Sequence, residues 1–113
     1  MALPEFVRRM VETKLAKFCE RVPPVARDQV RLILGFRGNA VTIYEERPRF
    51  LDSSEWGRRP VARIRFDSAD GHWMLYWFDR HQRGHLYDPL GPTTDLDRVL
   101  QEINSDPTGI FWG

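Results

Sequence analysis

Hydrophobic residues at helical spacing predict a helix near each end of the chain. After Pro4, the apolar positions of the first helix are Phe6, Val7, Met10, Val11, Leu15, Phe18 and Cys19. Charged residues lie between them, so we expect one buried stripe, and Pro23 and Pro24 end the helix. The apolar positions of the second helix are Leu96, Val99, Leu100 and Ile103. Thr94, with Asp97 three residues later, predicts its N-cap.

The pattern between the helices begins with a hairpin. Gly38 and Asn39 form a two-residue turn signal between alternating apolar positions. The resulting pairs are Phe36 with Val41, Leu34 with Ile43, and Arg31 with Glu46. The following residues 47–60, RPRFLDSSEWGRRP, contain proline, serine and glycine and are predicted to form a loop.

A second hairpin is predicted around Asp70 and Gly71. A tight turn would pair Phe66 with Leu75 and Ile64 with Trp77, whereas a four-residue loop shifts these pairs by two and keeps the same faces. A fifth strand, 84–88, would then place Leu86 beside Trp77 and His85 beside Phe78.

Short connections between consecutive strands favour an antiparallel meander. The predicted fold is α+β, with an antiparallel sheet of about five strands, an N-terminal helix and a C-terminal helix. Because 113 residues leave little room for two hydrophobic cores, we expect a single domain, 1–113.

Composition restricts the classes of function. The formal net charge is only +1, so attraction to an anionic partner requires positive charge to be segregated on one face. The single cysteine, Cys19, lies on the apolar stripe and is expected to be a buried, unreactive thiol. No segment has the length and apolarity of a membrane span or a signal peptide, so the cytoplasm is the expected compartment and no membrane partner is predicted.

Both faces of the predicted sheet carry large side chains. One face, with Ile64, Phe66, Leu75, Trp77 and Leu86, is expected to form the primary core. The opposite face is both aromatic and basic, and it comprises Arg31, Ile33, Arg37, Thr42, Tyr44, Glu46, Arg63, Arg65, Met74, Tyr76, Phe78, His85 and Tyr87. A half-buried strand needs only one apolar face, so the second face must meet a protein layer, a partner or a ligand.

Three interpretations of this second face remain open. Helix 96–103 and the terminal Ile110-Phe111-Trp112-Gly113 can cover it, with the arginines at the rim. It can instead bind RNA or DNA, because exposed rings stack on bases and arginines neutralise phosphates. The third is a metal-independent ribonuclease with Glu46 as base, His85 as acid and Arg65 on the phosphate.

We interpret the chain first as a non-catalytic binding module that uses this aromatic and basic face or a sheet edge. The expected partner is another protein or an identical copy, with nucleic acid as the alternative. The candidate binding residues are Arg63, Arg65, Tyr76, His85, Tyr87 and Trp112. No metal site or cofactor is predicted, because His72, His81 and His85 show no zinc-type spacing.

Several sequence blocks together resemble a known family. They are ALPEFVRRMVETKLAKFCERVPP, RGNAVTIYEERP, PVARIRFD, WMLYWFDR and DPTGIFWG. In this order they are similar to a small bacterial family catalogued as domain of unknown function 3024. The resemblance implies a single-domain bacterial protein, and it supplies no catalytic residues.

Overall fold

Two helices and a five-stranded antiparallel sheet make up the structure, a computed structural model that describes residues 2–49 and 54–112. The elements are α1 (Glu5–Cys19), a 3-10 turn (Pro24–Ala26), β1 (Arg31–Arg37), β2 (Ala40–Pro48), β3 (Trp56–Asp67), β4 (His72–Phe78), β5 (Gly84–Leu86) and α2 (Leu96–Ser105). The strand order is β1-β2-β3-β4-β5. The predicted α+β meander with a helix near each end is therefore confirmed. Residues 50–53 of the predicted loop and Gly113 of the predicted tail lie outside the described residues.

Both helices pack on the same face of the sheet, which we call the inner face; it carries Val41, Ile43, Ile64 and Leu75. The helix residues buried against it are Val7, Val11 and Leu15 of α1 and Leu96, Val99, Leu100 and Ile103 of α2. Fully burying one such side chain stabilises the fold by roughly 1.5–3 kcal/mol. Lys14 Nζ also donates to Asp97 Oδ1 at 2.8 Å, which joins the two helices at their surface.

The apolar stripe of α1 is narrower than predicted. Phe6 and Met10 were expected to be buried, but 78% and 38% of their surfaces are exposed. Cys19 is half-buried, and burial raises the pKa of its thiol. The buried positions of the helix are Val7, Val11 and Leu15, which belong to the hydrophobic core.

The C-terminal tail lies against α2 on the inner side. Asp106 ends the helix in a left-handed conformation, and its carboxylate accepts hydrogen bonds from the backbone N–H groups of Phe111 and Trp112 at 3.1 and 3.0 Å. The indole Nε1 of Trp112 donates to the carbonyl of Ile103 at 2.8 Å, and Phe111 is buried. The interpretation in which α2 and the tail cover the second face is therefore wrong for the described residues.

The chain reaches the inner side because it follows the edge of β4 after β5. Trp73 N donates to the carbonyl of Thr93 at 2.7 Å, and Thr93 N donates back to Trp73. Asp95 then caps α2 by accepting from the N–H groups of Asp97 and Arg98, so the cap lies one residue after the predicted Thr94. α2 therefore starts beside Trp73, and its apolar residues are buried with Trp73 in the core on the inner face.

Both predicted hairpins form. All three predicted pairs of the β1–β2 hairpin are present. In the second hairpin Ile64 pairs with Leu75 and Phe66 with Trp73, so the four-residue loop is correct and the tight turn is not. The two registers differ by an even number of residues, and for that reason the faces are the ones predicted.

The predicted register of β5 is wrong by one residue. Leu86 pairs with Tyr76, and His85 pairs with Trp77. The connection from β4 has five residues, because the Asp79 carboxylate accepts from the backbone N–H groups of residues 81 and 83, at 2.8 and 3.0 Å. Residue 82 takes a left-handed conformation there (φ 63°). A one-residue shift reverses the faces of a strand, so His85 lies on the inner face and Leu86 on the opposite one.

Tyr87 is buried and anchors the segment after β5 to α2. Its hydroxyl donates to Glu102 Oε2 at 2.7 Å, and Arg98 Nη1 donates to Glu102 Oε1 at 2.9 Å. The hydrogen bond from Tyr87 lowers the pKa of Glu102, whereas burial and then this carboxylate raise the pKa of Tyr87. Only 6% of the Glu102 surface is exposed, so the negative charge of its carboxylate is stabilised by these two donors and little by solvent.

We expect Tyr87→Phe to destabilise the protein by about 1–3 kcal/mol at neutral pH, because one buried oxygen of Glu102 loses its donor. The lowered pKa means that the ionised Glu102 contributes stability above its ordinary value of 4.5 and loses that contribution as the pH falls. Urea unfolding should therefore show a smaller penalty below that pH. Tyr76→Phe is the control, since no described residue bonds its hydroxyl. Equal penalties in the two variants would contradict the account.

A second prediction concerns Asp79, whose carboxylate organises the loop between β4 and β5. The hydrogen bond with His85 Nε2 at 2.8 Å and the backbone donor at residue 83 lower the pKa of Asp79 from 3.8 to about 2. Stability from the ionised carboxylate is then present above pH 3.8 and lost as the pH falls towards 2. An NMR titration should give this low midpoint, and His85→Ala should raise it. His81→Ala is the control, and an equal rise there would refute the assignment.

Candidate binding surface on the outer face of the sheet

The outer face is the face of the sheet that lies away from both helices. Its main side chains are Arg31, Arg37, Thr42, Tyr44, Glu46, Trp56, Arg58, Arg63, Arg65, Met74, Tyr76, Phe78 and Leu86. Arg63 and Arg65 are exposed, 51% of Leu86 is exposed, and Tyr76 and Phe78 are half-buried. No described helix or strand lies over these residues, so the face is available to a partner.

Four arginine side chains lie over aromatic rings on the outer face. The distances from the guanidinium carbon to the ring centroid are 3.8 Å for Arg31 on Trp56, 4.5 Å for Arg58 on Tyr44, 5.1 Å for Arg63 on Phe78, and 5.5 Å for Arg65 on Tyr76. Each contact contributes about 0.5–1 kcal/mol at an exposed site. The larger effect of the contact is to fix the position of the arginine, because the ring holds a long and otherwise mobile side chain against the sheet.

The rings that hold these arginines are placed by the strand pairing. Arg63 pairs with Tyr76 and Arg65 with Met74 across the β3–β4 ladder, so each guanidinium reaches a ring on the next strand at a diagonal position. Tyr44 lies against Gly35, where a Cβ atom would stand 2.9 Å from its ring carbon Cε2. A glycine at this position of β1 therefore allows the Tyr44 ring to lie low on the sheet.

Positive charge is concentrated on the outer face. Among the described strands, its outward positions carry five arginines against the carboxylates of Glu46 and Asp67, although the whole chain has a net charge of only +1. Arg31 Nε donates to Glu46 Oε1 at 2.7 Å. The other four arginines have no carboxylate partner within the described residues, and the nearest acceptor of Arg63 is Thr42 Oγ1 at 3.5 Å. These four cations are free to meet an anionic partner.

A depression of about 510 Å³ lies on the outer face beside the β1–β2 turn. It is lined by polar and cationic groups that include Arg37, Asn39, Thr42, Tyr44, Arg63 and Arg65. Small-molecule sites in proteins usually enclose about 300–1,000 Å³. The size and the lining fit an anionic group.

A second depression of about 510 Å³ lies where the end of β2 and the start of β3 run side by side. Three of its four arginines are already paired, because Arg47 and Arg59 contact Glu45 at 3.1 and 3.3 Å and Arg49 contacts Glu55 at 3.6 Å. The fourth is Arg58, whose guanidinium lies on Tyr44 of the outer face. The cationic partners of Glu45 are therefore supplied inside the chain, and this second depression offers less unpaired positive charge than the outer face.

The structure separates the six candidate binding residues into two groups. Arg63, Arg65 and Tyr76 lie together on the outer face. The other three lie on the inner side. His85 stacks on Trp77 with ring centroids 4.6 Å apart. Tyr87 is buried, and Trp112 packs on α2.

The arrangement predicted for ribonuclease chemistry does not form. Glu46 and Arg65 share the outer face, but Glu46 is paired with Arg31. The acid assigned to His85 lies on the opposite face of the sheet, where it bonds Asp79. The cause is the one-residue shift of β5, which moved every side chain of that strand to the other face.

Trp56 and Arg58 are surface residues that the sequence analysis assigned to a loop. Both belong to β3, where Arg58 pairs with Glu46 and Arg59 with Glu45. Two adjacent acids opposite two adjacent arginines were a readable signal, because opposite charges favour cross-strand pairing. Pro48, Gly57 and Pro60 concealed it, since these residue types usually interrupt strands.

The part of the chain that the structure describes holds neither a metal-binding cluster nor a membrane-spanning helix. Within residues 2–49 and 54–112, no group of three or more His, Cys, Asp or Glu side chains could hold a metal ion. In the same part of the chain, neither helix has the length and apolarity needed to cross a bilayer.

Comparison with known proteins places the chain in a family. No curated protein and no solved structure matches it. A family model described as Domain of unknown function (DUF3024) matches residues 3–113, which is nearly the whole chain and agrees with the resemblance of the sequence blocks. The protein therefore belongs to the DUF3024 family.

Proposed function

We propose that this protein is a non-catalytic binding module that uses the outer face of its sheet to bind an anionic partner. The observation that carries the proposal is the set of four outward arginines, Arg37, Arg58, Arg63 and Arg65, that have no carboxylate partner among the described residues. Three of them lie on aromatic rings and are held in place before any partner arrives.

Holding the arginines in place favours binding in a specific way. An exposed ion pair contributes only about 0–1 kcal/mol, partly because ordering two long side chains costs entropy. A guanidinium that already rests on a ring has lost part of that freedom in the unbound protein, so less is lost when it meets an anion. Several such contacts in one row can add to a useful affinity, and salt is expected to weaken it.

The charge of the outer face narrows the choice of partner. A second copy of this chain docked through the same face would bring two groups of unpaired arginines together, and like charges across an interface disfavour association. The sequence pattern favoured another protein or an identical copy as the partner, whereas the charge of the outer face supports a partner that carries negative charge. The bacterial source and the cytoplasmic location stay predictions from the sequence.

Heparin affinity chromatography tests the proposal. We expect the full chain to be retained at low salt and the Arg63→Glu/Arg65→Glu variant to elute at clearly lower salt. The matched control is Arg9→Glu/Lys17→Glu, which makes the same change of net charge on the exposed side of α1. Circular dichroism and the melting temperature show that each variant is folded.

The control variant shows whether a change in the salt concentration of elution reflects the outer face or only the net charge. If the binding surface is the outer face, the Arg9→Glu/Lys17→Glu variant elutes close to the unmodified protein. An equal loss of retention in both double variants would show that only net charge matters, and flow-through of the unmodified chain at low salt would remove the proposal altogether.

A further inference from the structure

We propose that the anionic partner of the outer face is a single-stranded nucleic acid, whose bases stack on the arginine planes while its phosphates bind the arginine edges. The inference rests on the proposed function and names the class of partner. It is carried by three features of the outer face: the layering of cation on ring, the row of arginines on the central strand, and the adjoining cationic depression.

The layering gives each guanidinium two different binding surfaces. One plane rests on a ring of the sheet, at 5.1 Å for Arg63 on Phe78 and 5.5 Å for Arg65 on Tyr76. Both arginines are exposed, so the opposite plane and part of the N–H edge face solvent. A base can stack on an arginine plane, and a phosphate can accept two parallel hydrogen bonds from the edge. A polynucleotide supplies both groups in every repeat.

The arginines form a row along β3, the middle strand of the sheet. Arg63 and Arg65 are two residues apart, or about 7 Å along an extended strand. Arg58 continues the row on Tyr44, so the three stacks span roughly 20 Å of strand. The depression of about 510 Å³ with Arg37, Asn39 and Thr42 opens beside this row. A flexible chain of several nucleotides can follow such a row and place one phosphate in the depression.

An acidic protein segment would use the outer face less completely. Carboxylates can bond the arginine edges, but they leave the arginine planes unused. Protein interfaces also depend on a desolvated apolar centre, whereas four rings of the outer face are covered by charged groups. Leu86 is the clearest apolar group available, and it lies on the short β5 at one side.

A duplex also fits the surface poorly. Its bases are stacked on one another and are unavailable to the arginine planes. Reading a duplex from its major groove requires a protruding helix or a two-stranded ribbon, and the outer face is a sheet surface. We therefore expect single strands to bind more tightly than a duplex of equal length.

Fluorescence anisotropy with a labelled oligo(dT) of about 20 nucleotides, longer than typical single-strand sites of about 4–16, tests the inference on the full chain. Three arginine–phosphate contacts predict that affinity falls about 20-fold between 50 mM and 200 mM salt. Arg63→Glu/Arg65→Glu should abolish most binding and flatten this salt dependence. The charge-matched Arg9→Glu/Lys17→Glu variant should bind like the unmodified protein.

Replacing arginine by lysine distinguishes the contribution of base stacking from the contribution of positive charge to the affinity. The Arg63→Lys/Arg65→Lys variant keeps both charges but loses two planar groups. We expect its elution from heparin to change little and its affinity for oligo(dT) to fall about fivefold or more, with the salt dependence preserved. Equal affinity of the lysine variant and the unmodified protein for oligo(dT) would overturn the stacking model.

The remaining outcomes distinguish this inference from the proposed function. Heparin retention that depends on Arg63 and Arg65, without binding of oligo(dT), would leave the proposed function standing and refute the nucleic-acid partner. Poly-glutamate of equal charge that displaces oligo(dT) at equal concentration would point to an acidic protein and also refute it. A duplex that binds as tightly as the single strand would contradict the stacking of bases.

Discussion

The side chains of β3 alternate between a buried side and a charged side, and this alternation determines both the core and the outer face of the sheet. Ala62 and Ile64 are fully buried, whereas Arg63 and Arg65 between and beside them are exposed. A slip of one residue would turn both arginines into the core and both apolar side chains into solvent, so the register of the central strand is strongly specified. The same alternation that builds the core on one face therefore assembles the row of cations on the other.

The row of arginines on β3 stays uncovered because both helices pack on the inner face of the sheet. α1 and α2 share the inner face and are joined by Lys14 and Asp97, and the tail is fixed to α2 through the Asp106 carboxylate. The buried pair of Tyr87 and Glu102 adds a polar anchor between the end of the sheet and α2. With both helices on one side, the outer face relies on arginines stacked over rings to shield its aromatic surface, and this arrangement leaves the cations exposed.

The sequence predicted the parts of the fold that local signals determine. The helical spacing found α1 and α2, and the Gly38-Asn39 turn gave every predicted pair of the first hairpin. The register of β5 could not be predicted, because it depends on a five-residue loop folded around the Asp79 carboxylate. The side of the sheet that α2 would cover was also open, since an apolar stripe shows that a helix is buried but not which face buries it. Strand parity correctly predicted that Arg63, Arg65 and Tyr76 share one face of the sheet. The prolines and the glycine near Trp56 and Arg58 hid the fact that both residues belong to β3.

NMR observation of the arginine Nε–Hε groups during the addition of a short heparin oligosaccharide tests directly whether the arginines of β3 bind anions together. We expect the signals of Arg58, Arg63 and Arg65, which lie on one strand and one face, to shift together and to saturate at the same heparin concentration. The signal of Arg9, which is paired with Glu5 on α1, should stay in place. Shifts at Arg9 with none on β3 would show that the anionic partner meets another surface, and the account of the outer face would be wrong.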